Sequence, residues 1–558
     1  MCKMTGSDLI VEMLIEQGTD VVFGYPGGQV LNIYDSLYKY SDKIKHVITA
    51  HEQGASHAAD GYARKTGKVG VVIATSGPGA TNIVTGIATA HLDSVPMVAI
   101  TGNVPCNLLG KDSFQEVDIA GITMPISKHN YIVKDVNELA DTIREAFFLA
   151  RSGRPGPVLI DIPKDVQIAE VEYKKDETDF HTRHYSVSEE TYKRMTHMIE
   201  ISDRPYIYCG GGVLSSEACD ELKELAEKID APVGCSMMGL TAIPYSHPNA
   251  LGMVGMHGRY ASTKTKNDAD LIIALGVRFS DRATGKTAEY MKDANIIHID
   301  IDPAEINKNV DSNISIKGDV KEILTELLKR IEKKENPRWW QHINKYRAVE
   351  KECMVQTGLG LTPYAVIDEL CNYTDDDTVI ATDVGQHQMW TAQKYRFEKP
   401  YTFLTSGGLG TMGYGMGAAI GSCVADGKRT VLITGDGSFG MNLNEMATAA
   451  SNNLPLVIII MNNGVLGMVR QWQTLFYDKH YSQTTLNRKT DFIKLADAFG
   501  GKGTRVFDHK ELKNALEDAF KYNGPYIIDC VIDMDEMVLP MIPPGGTMND
   551  VITEVEVK

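Results

Sequence analysis

Three doubly wound, parallel-sheet α/β domains are the architecture this 558-residue sequence predicts, and three observations support it. Short apolar strands alternate with helical segments in three separate runs, the pattern that builds a parallel sheet through crossover helices. Two charged stretches without hydrophobic periodicity, Glu170 to His184 and Ile331 to Trp340, separate the runs and read as linkers. Glycine-rich loops follow strands in every run, at the edge where open α/β sheets bind ligands. The expected domains are 1–168, 190–335 and 360–545.

In the first run, Ser7 to Gln17 is expected to be helical, with Ile10, Val11 and Leu14 on one face. Val21 to Phe23 is a strand that enters the tight loop Gly24-Tyr25-Pro26-Gly27-Gly28. Lys45 to Ala50 is the next strand, ending in His51-Glu52-Gln53-Gly54-Ala55. A helix with a small face follows through Ala55, Ala58, Ala59 and Ala63. Val69 to Ala74 is a third strand, and Thr75 to Asn82 turns it into another helix. Glu52 stands out, because a carboxylate at the end of an apolar strand is expected to be partly buried. Its plainer role is that of a helix N-terminal Glu favoured by the macrodipole.

The second run opens with the strand Tyr206 to Cys209, which ends in Gly210-Gly211-Gly212. Glycines between a strand and a helix suit a nucleotide's phosphates, although GxGxxG is lacking. Gly255-Met256-His257-Gly258, the strand Leu271 to Leu275 and Gly276-Val277-Arg278-Phe279-Ser280-Asp281-Arg282 come next. A strand then ends in acids at Asp300 and Asp302, and Gly318-Asp319-Val320 closes the unit. On the residues alone, Arg278 and Arg282 read as ion-pair partners.

The third run holds the strongest signal. Thr378 to Thr382 is a strand ending in Asp383-Val384-Gly385-Gln386-His387, and Tyr401 to Met416 is glycine-rich. Gly435-Asp436-Gly437-Ser438 then leads through a helical segment and the apolar strand Leu456 to Ile460 to Asn462-Asn463. Twenty-four residues separate Gly437 from Asn462. Strand, turn, helix, strand puts a carboxylate and an amide at one carboxyl edge of the sheet. Magnesium takes hard oxygen ligands and shares them with a substrate phosphate; Asp436, Asn463 and a loop carbonyl meet that demand. Glycines let backbone N–H groups approach the phosphate. This spacing resembles the thiamine-diphosphate motif. Beside it Glu52 gains a task, since that chemistry needs a carboxyl sharing a proton with the aminopyrimidine ring.

A net charge of −17 argues against nucleic acid or an anionic membrane as partner. Nine cysteines without a CxxC pair suit reduced thiols rather than a disulfide or zinc framework. The N-terminal segment does not read as a signal peptide, and no apolar run approaches the roughly 18 residues of a membrane span. A soluble, cytoplasmic protein is expected.

Gly24-Tyr25-Pro26-Gly27-Gly28, His51-Glu52-Gln53-Gly54-Ala55, Phe114-Gln115-Glu116, Arg154-Pro155-Gly156-Pro157 and Asp161-Ile162-Pro163-Lys164-Asp165 resemble the catalytic subunits of acetohydroxyacid synthases, also called acetolactate synthases. The resemblance covers nearly the whole chain and implies the thiamine-diphosphate decarboxylase type of fold. It implies that Glu52 activates the cofactor, that Gly28 and Gln115 border the reacting carbon, and that Phe114 and Lys164 line the substrate entrance. It assigns Pro26, Asn82, Gly385, Gln386, His387, Gly410, Gly435, Asp436, Gly437, Ser438, Asn463, Gly467 and Met468 to thiamine diphosphate, with Met412 as the wedge that bends it. Asp436, Asn463 and the carbonyl of Val465 would take Mg2+. FAD would be held by Arg154, Gly210, Gly211, Gly212, Gly255, Met256, His257, Arg278, Asp300 and Asp319. Arg282 is given the substrate carboxylate, which a guanidinium fork suits. Trp472 follows Met468 by four residues, so the two share a helix face, and its Gln471-Trp472-Gln473 context marks the acceptor-selecting tryptophan. One departure is Gln29, where the family carries a small residue.

The implied reaction decarboxylates pyruvate and joins the remaining two-carbon unit to pyruvate or 2-oxobutyrate, giving 2-acetolactate or 2-aceto-2-hydroxybutyrate for branched-chain amino acid biosynthesis. A homodimer or homotetramer with active sites shared between subunits is implied, with a separate small regulatory subunit as a further partner. The rivals are an FAD-dependent pyruvate oxidase with the same three domains, another thiamine-diphosphate carboligase, and an inactive scaffold. The joint presence of Glu52, Asp436 and Asn463 argues against the last.

Overall fold

In the computed structural model, which describes residues 2–174, 185–286, 293–353 and 360–554, each run closes into one six-stranded sheet. In the N-terminal sheet the strand order is Lys45–Ile48, Val21–Gly24, Gly70–Ala74, Met97–Asn103, Pro157–Pro163, His129–Ile132, all parallel. The central sheet runs Ala250–Met253, Val233–Cys235, Pro205–Cys209, Leu271–Leu275, Asn295–Asp300, Ile314–Lys317, again parallel. The C-terminal sheet runs Phe403–Leu404, Val379–Thr382, Thr430–Gly435, Leu456–Asn462, Tyr526–Val531, Lys502–Val506 in the same sense. Helices cover both faces of such a sheet, so its central strands are apolar throughout; Val457 to Ile460 are all buried. The three-domain parallel architecture is therefore as expected.

Both linkers need correction. Glu170–Tyr173 is a strand that pairs antiparallel with Cys2–Thr5. Its alternation of charged and apolar residues fits an edge pairing one side of which faces water. Residues 175–184 lie outside the described residues. In the second stretch, Pro337 opens the helix Pro337–Cys353, a favoured place for proline because its missing N–H is not needed there. Trp339 is buried, and its indole N–H donates to the carbonyl of Pro205 at 3.1 Å. That helix belongs to the central unit.

The first and third units share a core. The helices Glu52–Thr66 and Tyr414–Asp426 cross so closely that a Cβ on Gly61 would lie 2.2 Å from the carbonyl oxygen of Ala418, and one on Gly421 2.0 Å from that of Ala58. Ala58, Ala59 and Tyr62 pack in one apolar cluster with Met416, Ala419 and Ile420. The Arg64 guanidinium bridges Asp60 at 2.6 Å and Asp93 at 2.9 Å within this contact. Paired on both sides, it is held charged in spite of its burial.

Candidate active site

In every sheet one neighbouring pair of strands sends its connections to opposite sides, and ligands of open α/β sheets bind in the crevice beyond that pair. The pairs are Val21–Gly24 with Gly70–Ala74, Pro205–Cys209 with Leu271–Leu275, and Val379–Thr382 with Thr430–Gly435. The loops leaving them are Tyr25 to Gly28 with Thr75 to Gly77, Gly210 to Gly212 with Gly276 to Arg278, and Asp383 to His387 with Gly435 to Ser438. Pro26 and Gly28, Gly210 to Gly212 with Arg278, and Gly385 to His387 with Gly435 to Ser438 fall on these loops.

At the C-terminal edge, Thr430–Gly435 and Leu456–Asn462 are register partners as far as Gly435 and Met461. Asp436 heads the next helix, Asp436–Asn442, and is buried. Burial pushes its carboxyl up to about 6. Asn463 stands across from it and donates to Gln386 Oε1 at 3.4 Å, while its own Oδ1 accepts the N–H of Val465 at 3.2 Å. Ser438 Oγ donates to the carbonyl of Val384 at 2.9 Å, which joins the two loops. His387 is buried beside Gly435, its imidazole held down to about 3 by desolvation, and its Nε2 has no hydrogen-bond partner among the described residues. Gly385 and Gly410 both have positive φ, and Gly410 is exposed. Met412 reaches to within 4.0 Å of where a side chain on Gly437 would begin.

The helix Gly467–Phe476 carries Gly467, Met468 and Trp472 over this edge. Arg282 of the central unit lies with its guanidinium carbon 5.6 Å from the centre of the Trp472 ring, so two residues 190 positions apart meet as one surface. Arg282 also reaches Met256 Sδ at 3.8 Å. The indole N–H of Trp472 is buried without a partner among the described residues. The tail packs on the same region: Gln471 accepts the N–H of Val538 at 2.9 Å, and the N–H of Ile542 donates to the carbonyl of Met256 at 2.8 Å.

At the N-terminal edge, Asn82 Nδ2 donates to Glu52 Oε2 at 2.9 Å. Lys164 Nζ donates to the carbonyl of Gly28 at 3.3 Å. Gln115 has φ +62°, a sparsely populated conformation for a residue with a side chain. Its backbone lies against Gly77, and the adjacent Phe114 is 85% exposed. Pro26 is half-buried in the loop before Gly28. Gln29, the departure noted above, donates its N–H to Thr75 Oγ1 at 3.2 Å and accepts from Gln167 Nε2 at 2.8 Å through its carbonyl.

The central edge opens into a cavity of about 1560 Å³ lined by Gly211, Gly212, Arg278, Asp300, Asp319 and Arg154. Burial raises the Asp300 carboxyl to about 6 and the Asp319 carboxyl above its ordinary value. Arg154 is already paired with Glu305 at 2.8 Å and Asp302 at 3.3 Å. Gly210 is buried behind the cavity. Gly255 and Met256 do not line it but face the tail through a separate cavity of about 130 Å³, with His257 buried next to them.

Family models match all three units. The chain matches thiamine pyrophosphate enzyme N-terminal TPP binding, central and C-terminal TPP binding domains over residues 4–122, 192–327 and 383–530. It is 44% identical to a probable acetolactate synthase large subunit of Methanocaldococcus jannaschii, over 100% of this chain and 96% of that one. It is 42% identical to the acetolactate synthase isozyme 3 large subunit of Escherichia coli K12, over 99% and 98%, and 44% identical to an acetolactate synthase of Mycobacterium bovis, over 99% and 91%. The chain belongs to the acetolactate synthase large-subunit family.

As a thiamine-diphosphate enzyme of that family, the protein offers orphaned polar atoms where its cofactor would lie. The unpartnered Nε2 of His387 fits a polar, anionic group at the C-terminal edge. Asp436, held protonated more readily than usual by burial, fits a cation that would restore its charge. Among the described residues no cluster of three or more His, Cys, Asp or Glu side chains could hold a metal, so a metal here would draw on one carboxylate, an amide and a carbonyl. The long cavity at the central edge has room for a dinucleotide.

Sequence reasoning missed residues that hold these loops from behind. Asp383 is buried and accepts the Gly415 N–H at 2.8 Å and the Thr434 hydroxyl at 2.7 Å. Gln471 accepts from Gln386 Nε2 at 3.0 Å. Asp383 had one available signal, a carboxylate inside an apolar strand end; Gln471 had none.

Proposed function

We propose that the protein is an acetolactate synthase: it decarboxylates pyruvate and joins the two-carbon remainder to pyruvate or 2-oxobutyrate. The observation supporting this most strongly is the meeting of Arg282 with Trp472 above the Asp436–Asn463 edge, which sets a carboxylate-binding cation and an apolar face beside the cofactor site. Bound thiamine diphosphate supplies a carbon nucleophile and an electron sink; the chain binds, orients and shields. Asp436, Asn463 and the Val465 carbonyl hold Mg2+, with Gly385, Gln386, His387, Gly435, Gly437 and Ser438 around the diphosphate. Met412 would act as the wedge that bends the cofactor, a near-attack geometry set by packing, with Gly410, Gly467 and Met468 also placed against it. Glu52, aimed by Asn82, holds the proton on the aminopyrimidine ring, and Pro26, Gly28 and Gln115 border the reacting carbon. Phe114 and Lys164 form the entrance, and Arg282 takes the substrate carboxylate.

The pyrimidine-side unit is 1–168, the central FAD unit 190–335 and the diphosphate unit 360–545. FAD lies in the central cavity against Arg154, Gly210, Gly211, Gly212, Arg278, Asp300 and Asp319, with Gly255, Met256 and His257 towards the substrate side, and its role is structural because carboligation needs no net electron transfer. Among the described residues no hydrogen bond or ion pair joins Glu52, Asn82, Gly28, Gln115 or Lys164 to the residues of the C-terminal edge. Each half-site is completed by a second copy, in a homodimer or homotetramer that a small regulatory subunit joins. The enzyme serves isoleucine and valine biosynthesis in the cytoplasm. Among the described residues no helix is long and apolar enough to cross a membrane. The test is turnover of pyruvate by protein loaded with thiamine diphosphate, Mg2+ and FAD while the flavin absorbance is followed. Steady absorbance during turnover is expected; bleaching in step with pyruvate consumption would instead favour a pyruvate oxidase.

A further inference from the structure

One buried carboxylate joins the two half-sites of a single chain. Glu445 ends the short turn Leu443–Glu445, directly after the helix Asp436–Asn442. Its side chain is fully buried, yet it points out of its own unit into the first one. It accepts the N–H of His51 at 2.9 Å and that of Ala50 at 3.1 Å. Thr448 supports the arrangement, donating its hydroxyl to Glu445 at 2.6 Å and accepting the same Ala50 N–H at 3.1 Å. Ala50 and His51 are the two residues before Glu52, where the strand turns into the helix Glu52–Thr66. The contact has little slack: a Cβ on Gly54 would stand 2.1 Å from Glu445 Oε1.

We propose that Glu445 is a positioning residue for Glu52, fixing the turn that aims it and tying that aim to the segment that carries Asp436. The reading rests on the role given to Glu52 above. A carboxylate that accepts two backbone N–H groups in a buried site forms charge-assisted bonds with fixed direction. Without it the His51 amide loses its acceptor and that of Ala50 keeps only Thr448, so the turn is free to relax towards other partners. Glu52 is itself gripped by Asn82 at one oxygen, so a shift of the turn moves the other oxygen relative to the ring it serves. A displacement near 1 Å at a catalytic group costs on the order of 10²-fold.

The experiment uses full-length Glu445→Ala and Glu445→Gln, with thiamine diphosphate and Mg2+ as the probes. Three quantities are read: cofactor Kd, exchange of the thiazolium proton of the bound cofactor, and amide hydrogen exchange over residues 45–55. The expected result is exchange of the thiazolium proton slowed roughly 10–100-fold in Glu445→Ala, with Kd within about threefold of wild type. Amide protection at Ala50 and His51 should fall in parallel. Glu445→Gln, which keeps one acceptor oxygen, should lie between. Wild-type proton exchange in either variant overturns the proposal, as does a loss of cofactor affinity that matches the loss of exchange, since that is a purely structural role. If Glu445→Ala does not fold, Thr448→Val is read in the same way, and unchanged exchange with lost Ala50 protection overturns the proposal. Wild-type protein that binds no thiamine diphosphate would instead defeat the functional reading on which this rests.

Discussion

In the proposed function, Glu52 is the residue on which the chemistry turns. It is half-buried at the first turn of its helix and held by Asn82. Glu52→Gln preserves shape and the Asn82 contact but gives up the shared proton, so the Asp436 anchor should bind cofactor normally while thiazolium-proton exchange slows about 10²–10⁴-fold. Exchange at wild-type rate in the variant would remove Glu52 from this role. Trp472 is the second such residue. Its ring lies against Arg282 and makes an edge contact with Phe476 at 5.9 Å, so a rigid apolar face sits beside the cation that the proposed function gives to the substrate carboxylate. One methylene against such a face is worth about 1–3 kcal/mol, roughly 10–200-fold between 2-oxobutyrate and pyruvate as acceptors. Trp472→Leu should lose most of that preference while still making acetolactate, and an unchanged product ratio in competition would make the residue structural. Residues of this kind are legible in a sequence because the chemistry fixes their type and spacing, as with Asp436 and Asn463. Glu445 was not legible, because its partners are backbone amides nearly four hundred positions away and any local reading makes it an ordinary helix-flanking charge.

At the scale of elements, central strands and the helices after them were readable because burial on both faces leaves unbroken apolar runs such as Leu271–Leu275. The stretches read as linkers failed for a physical reason. Glu170–Tyr173 finds its partner at Cys2–Thr5, and Pro337–Cys353 is anchored by side chains such as Trp339 bonded to Pro205 and Trp340 bonded to Asp230, all long-range contacts with no local trace. The crossing of Glu52–Thr66 over Tyr414–Asp426 carries a pH consequence. His57 is fully buried in it, 5.3 Å from the Tyr414 ring centre, with both ring nitrogens unpartnered among the described residues. Burial first, and then the charge of Arg64, push its imidazole down to about 3. The unfolded chain takes up a proton near the ordinary value of about 6.5, and the folded one does not. The folded state therefore keeps its full stability above that pH and loses it progressively as the pH falls towards 3. Between pH 6.5 and 5 this single group costs about 2 kcal/mol. His57→Leu should show a smaller fall in Tm between pH 7.5 and pH 5 than wild type, and an identical fall would place the acid sensitivity elsewhere.

On the scale of the whole molecule, three parallel sheets, the first and third with one strand order and the central one with another, present three switch-point edges; in the proposed function two take the halves of a bent cofactor and one a dinucleotide. The first and third units cross intimately within one chain, and the proposed function makes their two edges separate half-sites. Glu52→Gln and Asp436→Ala damage different halves. Mixed after co-expression, the two inactive variants should regain activity, because one of the two centres in a mixed dimer pairs an intact first unit with an intact third unit. No recovery would mean that each chain builds its centre alone. The central claim, that this chain is a carboligase choosing between two 2-oxo acids, is met most directly by incubating wild-type protein with 13C-labelled pyruvate and 2-oxobutyrate and identifying the products by NMR. Labelled carbon dioxide with 2-aceto-2-hydroxybutyrate in excess over 2-acetolactate is the predicted result. Acetate or acetyl phosphate as the labelled product, with neither hydroxy acid formed, would contradict it.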